Sequence, residues 1–319
     1  MDMLSKILIE PFADMWAAPD FLLQVLWEGL VSGVLYALIA LGFVLIFRSS
    51  RIFNFAQGIM VVFAALTLVG LHALGVPAWV SVALTLVVMF GIAVAIERVV
   101  LRPLVGQPDI ILFMATIGIT LFLIGTGELI FGGENKVMIT ADLGIPTGDV
   151  VLEPFGGFLL LQHLDITVVV AAVALVGALL MFLNKTQMGR AIRALGDDHQ
   201  AALSVGISLQ TIWVLVWFLA GVIALVTGIA WGARAGVSFA LEIIAYKALP
   251  VLMLGGLESI SGAIIGGLAI GLLEKLFEIY WGQPLLGGST EAWFAYMLAL
   301  VVLLFRPQGL FGEKIIERV

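Results

Sequence analysis

The feature that most restricts this 319-residue chain is a succession of long apolar runs separated by short polar connections. A helix crossing the core of a bilayer needs about 20 predominantly apolar residues. Candidate spans are Phe21 to Phe47, Ile52 to Leu74, Ala78 to Ile96, Ile110 to Phe131, Ile166 to Leu183, Thr211 to Trp231 and Ala292 to Phe305. A further region, Val237 to Tyr280, is interrupted at Gly255-Gly256, after Pro250, and reads as a broken pair. Charged residues make up 12% of the chain, against about 25% in soluble proteins, and mean hydropathy is +1.18. The expected fold is therefore all-α: a polytopic membrane protein of about 8–9 transmembrane helices, broken helices included, with the lipid bilayer as its main solvent. Residues 1–20 form an N-terminal segment without the basic-then-apolar order of a cleavable signal, 21–312 a single transmembrane domain and 313–319 a tail.

Charge placement orients the spans. The connections Arg48 to Arg51, Glu97 to Asp109 and Asn184 to Gln210, with the tail from Arg306, hold ten of the fifteen Lys and Arg residues. By the positive-inside rule all four face the cytoplasm, which requires Val237 to Tyr280 to cross twice and gives nine crossings. Glu134 to Glu153, rich in Gly and Asp and broken by Pro146, becomes an external loop or cap.

Catalytic machinery is missing from the sequence. There is no cysteine, no His/Asp/Glu cluster with metal-ligand spacing, no serine elbow and no phosphate-binding loop. If transport uses ATP, another chain must hydrolyse it. The scattered basic residues make no nucleic-acid surface.

Three segments have a functional design. In Lys185 to Gly206, Gly196 can stop one short helix, Asp197 and Gln200 resemble a capping box opening a second, and Gly206 can close it. Arg190 and Arg193 share a face, and the small Ala191, Ala194, Ala201 and Ala202 leave the surface flat for a partner. The same arginines would equally serve a solvated loop that only fixes topology. In Arg51 to Gly58, Asn54 and Gln57 either glue helices together or face a water-filled path. In Leu254 to Glu274, Gly262, Gly266, Gly267 and Gly271 offer a face for close helix approach, and Gly255-Gly256 a break. Of the ionisable residues within spans, Glu28, Glu128, Glu242, Lys247 and Glu258, most lie near an end and can snorkel to the interface. Glu242 and Lys247, five apart, are poorly placed to pair on one helix.

Taken in order, these segments resemble the permease subunits of branched-chain amino acid ABC importers, the Liv type. The likeness runs from Gly29, Gly33, Tyr36 to Ala40 and Gly42, through Asn54-Phe-Ala-Gln-Gly58, Ala115-Thr-Ile-Gly118, Gly189 to Gly206 and Gly255 to Glu274, to Arg306-Pro-Gln-Gly-Leu-Phe-Gly312. It implies a type II importer-like permease whose coupling loop, about 184–210, seats Gly189, Arg190, Arg193, Ala194, Asp197, Asp198, Ala201, Ala202 and Gly206 on an ATPase. It implies two ATP-binding subunits that carry ATP and Mg, a second homologous permease, usually non-identical, and an extracytoplasmic binding protein. The expected location is a bacterial or archaeal cytoplasmic membrane. Asn54, Gln57, Gly58 and Thr116 are the expected path residues. Departures from the family pattern at Gln57, Ile59 and Glu258 leave the solute open among amino acids, amides and small carboxylates. The alternatives are a self-sufficient ion-coupled carrier using Glu28 or Glu128, and a membrane enzyme, which the missing nucleophile and metal constellations disfavour.

Overall fold

A computed structural model describes residues 5, 7–197, 202, 204 and 206–312. A short helix α1 (Glu10–Ala17) leads into α2 (Pro19–Ser50), where Pro19 occupies the first turn and forfeits no intrahelical bond. Then follow α3 (Gln57–Ala73), α4 (Ala78–Ala95), α5 (Asp109–Phe131), α6 (His163–Lys185), α7 (Gln187–Asp197) and α8 (Leu209–Ala235). A 3₁₀ turn (Phe239–Leu241), α9 (Glu242–Tyr246) and α10 (Ala248–Gly255) make a broken run, followed by α11 (Ile260–Phe277) and α12 (Glu291–Phe305). Helix α4 continues through a π turn and a 3₁₀ turn to Leu104, and α11 continues as a π helix to Leu286.

Six of these helices are long and apolar enough to cross a membrane, and α3 and α12 are shorter apolar helices. With the broken run Phe239–Gly255, these make nine apolar helical segments among the described residues. All four basic segments meet at one end. There Arg51 ion-pairs with Glu258 and donates to the Gly196 carbonyl, Arg102 bonds Gln210, and the tail backbone bonds α10. The broken run reaches this end at Gly256, as the two-crossing reading requires.

The bundle is centred on α2 and α11. An added Cβ on Gly33 would stand 2.8 Å from the Gly267 carbonyl oxygen, and one on Gly29 3.0 Å from that of Gly271. Helices in lipid gain nothing from hiding apolar surface from lipid, so close backbone approach supplies the van der Waals contact that holds them. Gly262 and Gly266 face α10 instead, with a Cβ on Gly266 falling 2.9 Å from the Val251 carbonyl oxygen. The glycine run thus serves two partners at once.

Several local readings change. The polar loop carries a hairpin, β1 (Asp149–Leu152) antiparallel to β2 (Leu159–Gln162), with Asp149 opposite Gln162. Its Leu160 N–H donates to the Gln24 side chain at 3.0 Å, pinning the cap to α2. The short apolar stretches that pair here were too brief to register as spans. Gly196 lies in the last described turn of α7, where its missing side chain lets α7 press on the Arg48 carbonyl. Thr186 accepts the Gly189 N–H at 2.9 Å and caps the start of α7. The break falls at Gly255-Gly256 as read: Pro250 sits in the first turn of α10, and the helix stops at Gly256, at φ 100°. The carbonyls left open there are met by the tail, with Leu310 N donating to Leu254 O at 2.8 Å and Phe311 N to Gly255 O at 3.2 Å.

Candidate functional site

The first candidate region is the break before α3. Residues Ile52 to Ala56 are not helical yet lie inside the bundle, which is tolerated only where protein satisfies the backbone. Asn54, fully buried, accepts the Ala56 N–H on its side-chain oxygen at 3.0 Å. The Thr116 hydroxyl of α5 accepts the Phe55 N–H at 3.2 Å and lies 3.2 Å from the Phe53 and 2.8 Å from the Phe113 carbonyl oxygens. Gln57 fits into the space left by Gly42, and its amide reaches the Ala220 carbonyl at 3.4 Å. In this conformation Asn54, Gln57 and Thr116 are fully buried and brace the break from inside, and Gly58 borders a recess.

The second break, at α9, packs directly on the first. A Cβ on Gly58 would come 2.6 Å from the Ala245 Cβ and 3.5 Å from the Glu242 Cγ. Phe43, Phe53, Phe55, Tyr246 and Leu249 complete the recess around Gly58 and Glu242. Its rings are in series: Phe43 to Phe53 at 5.4 Å, Phe53 to Phe55 at 5.8 Å and Phe55 to Tyr246 at 6.3 Å between centroids.

Behind the break lies a buried ionic cluster. Lys247, between α9 and α10, donates to Glu274 at 2.6 Å and to the Tyr36 hydroxyl at 3.1 Å, and its ammonium stands 5.4 Å from the Tyr36 ring centre. Tyr36 also donates to Glu274 at 3.2 Å. One residue on the break is thereby tied to both central helices. Lys247 pairs with Glu274 and not with Glu242, in keeping with the poor spacing of the latter two. Arg234 and Asp165 form another such pair near the opposite end. Sequence spacing could not reveal partners 27 and 69 residues apart. The usable signal was a charge at the foot of an apolar run, as at Glu274 and Arg234.

At the basic end, Arg51 is the node. It takes a left-handed conformation at φ 58°, costly for a residue with a Cβ, and its side chain holds both Glu258 and the Gly196 carbonyl. One residue thus clamps the end of α2, helix α7 and the α10–α11 turn. Glu258 has its partner here. Arg190 and Ala194 are exposed, whereas Arg193 turns in to Asn184, Gly189 is packed on α6 and Ala202 is buried. Gly206 has φ 88°, suited to closing a helix. Asp198 and Ala201, with the side chain of Asp197, lie outside the described residues, as do His199 and Gln200. Of the carboxylates considered for ion coupling, Glu28 accepts from Gln24 at 3.0 Å and Glu128 is exposed.

Comparison with known proteins bears on this geometry. Residues 25–306 match the family model described as the permease component of the branched-chain amino acid transport system. The chain is 31% identical to the high-affinity branched-chain amino acid transport system permease protein BraD of Pseudomonas aeruginosa, over 93% of this chain and 98% of that one. It is 29% identical to LivH of Escherichia coli K12, over 94% and 98% respectively. A more distant relative, 28% identical over 86% of this chain and 75% of its own length, is the fructose import permease protein FruF of Bifidobacterium longum.

Proposed function

This chain belongs to the branched-chain amino acid transport permease family, and on that premise we propose that it forms half of the membrane conduit of an ATP-driven importer for branched-chain amino acids. It is a multi-pass membrane protein and a transport subunit, not an enzyme. The other parts of the reading are a second homologous permease, two ATPase chains that hold ATP and Mg, an extracytoplasmic binding protein and a place in a prokaryotic cytoplasmic membrane.

Coupling runs through α7. The segment Gly189 to Gly206 seats on the ATPase, with exposed Arg190 and Ala194 on the contact and Arg193, Ala202 and Gly206 shaping the element behind it. Asp197, Asp198 and Ala201 complete the docking set. The observation that carries this reading is the Arg51 clamp. A shift of α7 is delivered through Gly196 and Arg51 to the α10–α11 turn. From there α10 leads to Lys247 and the second break, whose movement against Gly58 opens or closes the path. Asn54, Gln57 and Thr116 hold the path's wall in shape. Gly255 and Gly256 form the turn that is moved, and Gly262, Gly266 and Gly267 the surfaces along which α11 slides.

Purification from the native membrane, with mass spectrometry of the copurifying chains and an ATPase assay, tests the assembly. ATP-binding subunits and a second permease should come with the wild-type chain and be lost or uncoupled in Arg190→Ala/Arg193→Ala. Full copurification and uptake by that double variant would remove the docking assignment.

A further inference from the structure

We infer that Glu242 is the carboxylate that meets the ammonium group of the solute within the conduit. The inference rests on the importer reading and adds to it the group that separates amino acids from uncharged cargo such as a sugar. Its first support is depth. Gln57 packs on Gly42, nine residues and so roughly 13 Å along α2 from the arginine-rich end at Arg51. Glu242 touches the next residue, Gly58, and therefore lies well inside a hydrocarbon layer about 30 Å thick.

The second support is what surrounds the carboxylate. Most acidic groups in the bundle have partners: Asp165 has Arg234, Glu274 has Lys247, Glu258 has Arg51, Glu291 has Lys275, and Glu278 accepts from the Ser289 and Thr290 backbones, while Glu128 lies exposed near the end of α5. Glu242 has no hydrogen-bond or ion-pair partner among the described residues, although Lys247 lies only five positions on and is committed to Glu274. An intramembrane carboxylate without a partner points to a ligand that supplies one.

The third is the chemistry of the recess. Phe43, Phe53, Phe55 and Tyr246 share it with Glu242. A single carboxylate with aromatic faces suits a primary ammonium, which takes charge-assisted hydrogen bonds and cation–π contact. It does not suit a divalent metal, which needs six or more oxygen ligands or a hydrated carboxylate cluster. The recess holds about 10 Å³ in this conformation, the size of one water, so the ammonium enters it only when the two breaks move apart; a side chain at Gly58 would collide with Ala245, press on Glu242 and leave no such room.

The test uses the complete complex in proteoliposomes with saturating binding protein and L-leucine as the probe. Glu242→Gln, which keeps shape and removes charge, should lower ATP-driven leucine uptake about tenfold or more, and Glu242→Asp should restore most of it. Copurification of the ATPase subunits reports that each variant is assembled. A second measurement exploits the absence of cysteine from this chain. In the assembled complex Glu242→Cys should react with a small water-soluble thiol reagent, located on this chain by mass spectrometry, and leucine-loaded binding protein with ATP should change the rate. Wild-type leucine uptake with an unimpaired Glu242→Gln would overturn the inference, as would a Glu242→Cys thiol closed to water and covered by the second permease. Absence of leucine uptake by the wild-type complex would instead count against the substrate reading.

Discussion

Lys247→Met removes the cation that ties the second break to α2 and α11, and its cost can be worked from the two exposures. Glu274 is 1% exposed and cannot recruit water, while the Lys247 side chain is 26% exposed. Breaking a buried pair by deleting one member costs about 3–5 kcal/mol, because the other charge is stranded. Protonating an ordinary carboxyl at pH 7 costs about 3.7 kcal/mol, which caps the penalty from a stranded Glu274. Tyr36 still donates to that carboxyl, so about 3 kcal/mol is expected for Lys247→Met, or roughly 6 °C in Tm for a chain of this size. Glu274→Gln strands Lys247 instead, which keeps the Tyr36 hydroxyl and ring and reaches water, so about 1 kcal/mol is expected. The double variant Lys247→Met/Glu274→Met removes both charges and should fall within about 1 kcal/mol of wild type, giving a coupling energy of about 3 kcal/mol. Thermal unfolding of the purified variants in one detergent, followed by tryptophan fluorescence, reads all three. Additive effects in the double variant, or a larger loss from Glu274→Gln than from Lys247→Met, would refute the reasoning.

Other perturbations follow from the same contacts. Thr116→Val strands the Phe55 N–H inside the bundle and should cost about 1–3 kcal/mol, with Thr116→Ser near wild type in the same unfolding assay. Gly33→Leu forces α2 away from α11 and should lower stability by about 3 kcal/mol or prevent assembly, whereas Gly91→Leu, where an added Cβ meets nothing within 4 Å, should be tolerated. Arg51→Ala should leave the ATPase subunits bound but slow uptake per ATP hydrolysed, because α7 then loses its hold on the α10–α11 turn.

The spans were legible because apolar runs of bilayer length have few alternatives, and their ends moved by only a few residues. Helix α3 is the instructive exception. The run from Ile52 is apolar enough to continue the span, but Phe53 to Ala56 bond to Thr116 and to the Asn54 side chain instead of forming a helix. Hydropathy reports burial, not backbone path, so a buried non-helical stretch looks like helix. The same limit applies to the site. Glu242 and Lys247 stood out as charges in apolar surroundings, but which had a partner depended on Glu274, 27 residues from Lys247. The contact of Gly196 with Arg48 was not legible, because a glycine that ends a helix and one that lets two backbones touch read alike in sequence. The Arg51 clamp gathers three segments that only the fold brings together.

The central claim, that ATP hydrolysed elsewhere drives solute through this chain, is tested most directly by uptake into proteoliposomes holding the purified complex. Leucine accumulation should require ATP on the cytoplasmic side and binding protein on the other, and should persist when ion gradients are collapsed. Accumulation by this chain without ATPase subunits, driven by a proton or sodium gradient, would contradict it.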